Sequence, residues 1–213
     1  MPLLIKDNKI LNMIHIPRTG GRWVVEFLAS NGYRLVHGRD SQYWLQNIIE
    51  VEIMHYHADL MQKGWFESYS HNPSFAIIRN PLDRFISALP HLIDIMDEYN
   101  IPKKYLFTSD IISVVTFVRN AIPNNWFRPQ HEFMLPNTEI WRYEDKLDSE
   151  FYDWLNASMQ LNLKQRHSDV KVENLFYDNR KQSVKDEYFN DNMIRFVKEY
   201  YREDYLKYYP NHI

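Results

Sequence analysis

Two short apolar runs, each followed by a short connection and then a helical pattern, most constrain what this chain can fold into. The first run, Ile10–Ile16, precedes the helical spacing of Trp23–Ala29. The second, Ser74–Ile78, precedes a helix expected over Pro81–Glu98, with Asn80 as its N-cap. Strands that alternate with helices are typical of a parallel sheet, where ligands bind beyond the carboxyl ends of the strands.

The same patterns predict the remaining elements of an α/β fold with a central, mostly parallel sheet flanked by helices. Asp59 is expected to cap one of these helices, because aspartate is a preferred N-cap residue. The further strands are expected at Ile48–Tyr56 and Glu139–Tyr143, and the further helices at Leu60–Tyr69, Ser109–Asn120, Lys146–Leu161 and Asn192–Tyr201.

Composition narrows the class of protein. With 213 residues, 45% of them hydrophobic, the chain is long enough for one substantial core, and we expect a single domain over residues 1–213. A net charge of −3 argues against a nucleic-acid binder. The absence of cysteine excludes disulfides, a thiolate zinc site and a cysteine nucleophile. No apolar run of membrane-spanning length and no signal-peptide pattern is present, so we expect a soluble, cytoplasmic protein with no membrane partner.

The loop after the first strand carries the first candidate site. Two of the five glycines in the chain, Gly20 and Gly21, stand together there, between Arg18 and Arg22. Glycines let the backbone approach a ligand closely, and a helix N-terminus presents N–H groups, so the loop predicts an oxyanion site. The alternative is a tight turn with surface arginines. No Walker A pattern follows, which disfavours ordinary ATP chemistry.

The segment after Ser74–Ile78 carries the second candidate site. Arg79 stands at the end of the strand, and Ser87 lies about two helical turns beyond the predicted cap, on the face of Asn80. An arginine and a hydroxyl placed in this way can share one phosphate. The alternative role for Arg79 is an ion pair with Asp83.

Together these segments resemble the signature motifs of sulfotransferases that use 3′-phosphoadenosine 5′-phosphosulfate (PAPS), especially the branch with the heparan sulfate O-sulfotransferases. IHIPRTGG resembles the family's 5′-phosphosulfate loop, commonly HIPKTGG, and AIIRNPLDRFISA resembles its 3′-phosphate motif. MHYHAD, between them, is similar to the family's segment with a histidine general base. Trp141–Asp145 and Tyr200–Tyr205 resemble the family's "RYED" strand end and its closing helix, for both of which structural roles suffice.

The resemblance implies a P-loop-like fold, like that of sulfotransferases and nucleoside kinases, and PAPS as donor, with 3′,5′-ADP as product and no metal. The acceptor is expected to be a hydroxyl on a carbohydrate or another small molecule. In-line transfer would use His57 as the base and Arg18 for charge stabilisation, where the family usually has lysine. The expected donor-binding residues are Arg18, Thr19, Gly20, Gly21, Arg22 and Trp23 at the 5′ end, and Arg79, Ser87, Arg180 and Ser183 at the 3′ phosphate.

Three alternatives stay open on the sequence. His55 and His57 are expected on one face at a strand end, an arrangement that also serves zinc hydrolases. A small-molecule kinase would share the strand–loop–helix anion site but would need magnesium. A catalytically silent module for a nucleotide or an anionic glycan would keep Arg79 and Ser87 without depending on His57.

Overall fold

The chain divides into two compact units in the computed structural model. The sheet unit comprises Met1–Arg79 and Glu132–Leu175, and the helical unit comprises Asn80–His131 and Phe176–Ile213. That the whole chain is a single domain stays a prediction. The structure describes residues 3–36, 42–45, 49–52, 55–62, 64–121, 125–164 and 181–212.

A five-stranded mixed sheet forms the centre of the sheet unit. Its strands are β1 Leu3–Lys6, β2 Lys9–Ile14, β3 Arg34–Val36, β6 Ser74–Ile78 and β7 Glu139–Arg142. They lie in the order β3-β1-β2-β6-β7, with β2 parallel to β6 and β6 parallel to β7, whereas β1 pairs antiparallel with both β2 and β3. The predicted α/β class is confirmed.

The prediction of a mostly parallel sheet was wrong, because it missed the hairpin at the start of the chain. Lys6 of β1 pairs with Lys9 of β2, so only Asp7 and Asn8 connect the strands. Asp7 has a φ of 52°, in the left-handed region that two-residue hairpin turns require. Asp-Asn between two apolar runs was therefore a readable hairpin signal.

The core of the sheet unit lies between the sheet and two helices, α1 (Gly21–Ser30) and α5 (Ser149–Ser158). All five residues of β6 are buried, as expected for a strand with a parallel neighbour on each side. Phe27 from α1 and Phe151 from α5 are both buried in this core together with Phe75 of β6. Burial of these apolar side chains therefore holds β2, β6 and β7 in place, and with them the edge of the sheet at which the three strands end.

A second, two-stranded antiparallel sheet corrects the predicted strand at Ile48–Tyr56. β4 (Gln42–Leu45) pairs with β5, which covers only Ile49–Glu52. The predicted helix at Leu60–Tyr69 is instead α2 (Ala58–Met61) followed by a 3₁₀ helix over Gly64–Tyr69. The apolar spacing after Ile48 does not distinguish a strand from a helix. Pairing with β4 makes Ile49–Glu52 a strand.

The helical unit is built around α3, Pro81–Glu98, whose predicted bounds are confirmed. Asn80 caps it, its side-chain oxygen accepting from the Leu82 N–H at 3.0 Å.

No helix among the described residues is long and apolar enough to cross a membrane. The other helices of this unit are α4 Ile111–Ala121, α6 Lys181–Tyr188, α7 Asp191–Tyr200 and α8 Arg202–Tyr208, and its 3₁₀ helices are Lys103–Phe107 and Pro210–His212.

A buried carboxylate organises the polar core of the helical unit. Asp204 on α8 is fully buried, and its two oxygens accept from the backbone N–H groups of Gln130 and His131 at 2.7 and 2.8 Å. The Asp204 Oδ1 also lies 2.8 Å from the Nδ1 of the His131 ring. Asp204 thus fixes the start of the 3₁₀ turn at Gln130–Phe133 through three contacts.

We predict that Asp204→Ala lowers the free energy of unfolding by about 2–4 kcal/mol, because the buried N–H of Gln130 and the partly buried N–H of His131 lose their acceptor. Urea unfolding followed by circular dichroism measures the loss. Glu203→Ala, which removes an exposed carboxylate from the same helix, is the matched control and should change stability by less than about 0.5 kcal/mol. Equal effects of the two substitutions would contradict the role given to Asp204.

Candidate anion-binding site

Three neighbouring parallel strands of the sheet unit end at one edge, and each is followed directly by a residue of the candidate site. β2 leads into the loop of residues 15–20, β6 into Arg79, and β7 into Tyr143. In a parallel sheet the carboxyl ends of adjacent strands lie side by side, so the three connections converge. The sequence predicted two of these contributors as site residues and gave Tyr143 only a structural role.

The loop after β2 has an uncommon backbone. Arg18 has a φ of 69° and Gly20 a φ of 89°, both in the left-handed region. A side chain on Gly20 would also be crowded, since an ideal Cβ there lies 3.0 Å from atoms of both Tyr143 and Leu147. Gly20 is the N-cap of α1. For arginine the left-handed conformation costs on the order of 1–2 kcal/mol, the type of strain that accumulates at binding sites.

The first turn of α1 leaves N–H groups for a ligand. Among the described residues, the backbone N–H groups of Gly20 and Gly21 have no hydrogen-bond acceptor. The Trp23 N–H, in contrast, donates to the Gly20 carbonyl at 3.1 Å. Thr19 is buried, and its hydroxyl donates to the Ile16 carbonyl at 2.9 Å. Thr19 therefore holds the loop together, whereas Gly20 and Gly21 offer their backbone N–H groups.

Arg79 is tied to this loop from the neighbouring strand. Its Nη1 donates to the Arg18 carbonyl at 3.3 Å, and its guanidinium carbon lies 4.7 Å from the centre of the Tyr143 ring. A guanidinium over an aromatic face is held by a cation–π attraction. The positive charge of Arg79 thus lies next to the strained turn of the loop, where an oxyanion would be stabilised.

Tyr143 is the site residue that sequence reasoning missed. Its ring contacts Arg79 on one side and would contact any side chain placed on Gly20, and it is 37% exposed. The available signal was its position, directly after a predicted strand parallel to β6. Tyr143 connects the two predicted halves of the site within the sheet unit.

The two predicted histidines do not share a strand face. His55 lies beyond β5, which ends at Glu52, and His57 is the N-cap of α2. His55 is 6% exposed, with its ring centre 5.0 Å from that of His15, whereas His57 is half-buried. The expectation of paired side chains at a strand end was wrong, because the antiparallel pair β4–β5 ends before either histidine. No cluster of three or more potential metal ligands occurs in the described ranges.

The residues predicted for the 3′-phosphate are spread over both units. Ser87 is buried on α3 and Ser183 lies on α6, both in the helical unit, whereas Arg79 belongs to the sheet unit. Arg180 lies outside the described residues. Arg22 is exposed on the first turn of α1. Roles for Ser87, Arg180 and Ser183 at the nucleotide stay predictions of the resemblance.

His15, at the start of the loop, gives the site a pH-dependent stability. Its burial, and to a lesser degree the charges of His55 and Arg22, hold the pKa of His15 well below 6.5. As the pH falls through 6.5, the unfolded chain therefore binds a proton that the folded chain does not, and stability decreases.

We predict that the free energy of unfolding of the wild type falls between about pH 7.5 and about pH 5, by at most about 1.4 kcal/mol per pH unit from this group. His15→Gln should flatten the slope, because glutamine does not titrate. The control is His71→Gln at an exposed position, which should leave the slope of the unfolding free energy against pH unchanged. Urea unfolding at a series of pH values measures both, and a slope unchanged in His15→Gln would contradict the burial of a neutral imidazole.

Comparison with known proteins adds no relative to this picture. No family model matches the chain, and neither a curated protein nor a solved structure matches it. The assignment of function therefore rests on the geometry of the loop after β2, on Arg79 and Tyr143 beside it, and on the resemblance of the motifs.

Proposed function

We propose that this protein is a sulfotransferase that moves a sulfuryl group from PAPS to an acceptor hydroxyl, on a carbohydrate or another small molecule. The observation that carries the proposal is the loop after β2. The N–H groups of Gly20 and Gly21 lack acceptors among the described residues, and the Arg79 guanidinium donates to the carbonyl of Arg18. The N–H groups suit an anion with several oxygens, such as the phosphosulfate end of PAPS, and the guanidinium beside them suits the second anionic group of the same donor, its 3′-phosphate.

The donor would be held by groups that are already in place. The N–H groups at the start of α1 and the Arg18 guanidinium would bind the 5′-phosphosulfate, and Arg79 would bind the 3′-phosphate, as the resemblance implies. Positioned donors of this kind need little reorganisation when charge develops, which is the main source of electrostatic catalysis. Arginine at position 18 can hold two oxygens at once, but it does not give up a proton at neutral pH.

The transfer step would be a direct displacement at sulfur. The acceptor oxygen forms a bond to sulfur while the bond between sulfur and the bridging phosphate oxygen breaks, and the electron pair stays on 3′,5′-ADP. The acceptor's proton passes to the imidazole of His57, which is half-buried and so more accessible than His55. Arg18 and the loop N–H groups would stabilise the charge on the leaving phosphate.

The 3′-phosphate provides the sharpest test of the donor. We predict that 3′,5′-ADP binds roughly ten- to a hundred-fold more tightly than adenosine 5′-phosphate, since one charge-assisted hydrogen bond contributes about 1.5–3 kcal/mol. Arg79→Met should remove most of this preference, and Arg34→Met, on the exposed side of edge strand β3, should leave it intact. Calorimetry measures all three. Equal affinity of the wild type for both nucleotides would sink the 3′-phosphate assignment.

Loss of the base tests whether the protein is an enzyme. We expect His57→Ala to lower the rate of labelled sulfuryl transfer from PAPS by roughly 10²–10⁴-fold while nucleotide affinity stays within about three-fold. The exposed histidine at position 71, changed to alanine, should leave the rate unchanged. The acceptor screen should include desulfated and neutral glycans, lipids and phenols.

Three outcomes would point elsewhere. Nucleotide binding without any transfer would identify a binding module. Magnesium-dependent turnover of ATP would identify a kinase. Activity that a chelator removes, and that His55→Ala and His57→Ala lose equally, would establish a metal site instead of a general base.

A further inference from the structure

His15 fills the space beside the second glycine of the loop. It follows β2 directly and is 5% exposed. An ideal Cβ built on Gly21 would lie 1.9 Å from the Cδ2 and 2.2 Å from the Nε2 of the His15 ring. Real atoms do not approach so closely, so the imidazole itself makes glycine necessary at this position. The ring is therefore packed against the first residue of α1.

The same ring also lies next to the segment that contains the predicted base. The ring centres of His15 and His55 are 5.0 Å apart, and the planes are tilted by 36°. His57 lies two residues further on, at the N-cap of α2. One buried imidazole thus contacts both the anion loop, defined as residues 15–21 up to the first residue of α1, and the segment 55–57.

Packing alone does not explain why the residue at position 15 is a histidine. The Nδ1 of His15 is buried and makes no hydrogen bond to any residue that the structure describes. Leaving such a polar atom without a partner costs about 1–3 kcal/mol, so phenylalanine or leucine would fill the same gap at lower cost. A buried polar atom of this kind calls for a role beyond packing.

We propose that His15 is a positioning residue that couples occupancy of the anion loop to the orientation of the segment 55–57. An oxyanion bound by the N–H groups of Gly20 and Gly21 would draw the first turn of α1 toward itself, and the His15 ring would pass this shift to His55. The coupling rests on the proposed function for the identity of the anion. It does not depend on sulfuryl transfer, so the probe is inorganic pyrophosphate.

A size swap tests the contact with the loop. Gly21→Ala should weaken pyrophosphate binding at least about ten-fold, because the new methyl group collides with His15. His15→Ala makes room, so the double variant should bind within about three-fold of His15→Ala alone. Calorimetry measures the pyrophosphate affinity, and thermal unfolding measures the stability, of the wild type, the two single variants and the double variant. If Gly21→Ala does not fold, folding of the double variant gives the same answer. Losses that simply multiply, or a double variant that also fails to fold, would overturn the contact.

The contact with His55 is tested by magnetic resonance of ¹⁵N-labelled histidine rings. Pyrophosphate should shift the His55 ring signal in the wild type, and His15→Ala should reduce that shift to less than about a third at equal saturation. The signal of the exposed His71 should move in neither protein. An equal His55 shift in both proteins, or none in the wild type, would overturn the coupling.

The two proposals fail in different ways. If the His55 signal responds through His15 but no sulfuryl transfer is found, the coupling stands and the sulfotransferase assignment fails. If sulfuryl transfer occurs while the pyrophosphate-induced shift of the His55 signal is the same in the wild type and in His15→Ala, the sulfotransferase assignment stands and the coupling fails.

Discussion

The candidate site depends on the parallel pairing of β2, β6 and β7. Because these strands run side by side in one direction, the residues that follow them arrive at one edge of the sheet. Arg79 can therefore donate to the Arg18 carbonyl and lie over Tyr143, although the three residues are far apart in sequence. An antiparallel strand in the place of β6 would deliver Arg79 to the opposite edge.

The loop combines strain with unused hydrogen-bonding groups. Arg18 adopts a left-handed conformation, and the imidazole of His15 is buried with its Nδ1 lacking a partner in the described part of the chain. Each feature costs stability and persists only because the apolar core around Phe27 and Phe75 fixes its surroundings. Strain and unpaired polar atoms of this kind are expected at a strand–helix junction that binds a ligand, because binding sites often lower the stability of the fold.

Local signals made part of the fold predictable from the sequence. Asn80 and Pro81 determine where α3 begins, because an N-cap side chain and a proline each suit one helical position. The Gly20–Gly21 pair likewise marked the junction of β2 and α1. The predicted strand Ile48–Tyr56 and the predicted mostly parallel sheet were wrong, since each depended on a pairing partner that periodicity alone does not reveal. Tyr143 was missed as a site residue because its contacts with Arg79 and Gly20 are long-range.

A crystal structure of the full chain with 3′,5′-ADP tests the nucleotide site most directly. We expect the 5′-phosphate at the start of α1, with its oxygens within hydrogen-bonding distance of the N–H groups of Gly20 and Gly21 and of the Arg18 side chain, and the 3′-phosphate against the guanidinium of Arg79. Nucleotide bound elsewhere, or a 5′-phosphate that makes no contact with these N–H groups, would contradict it.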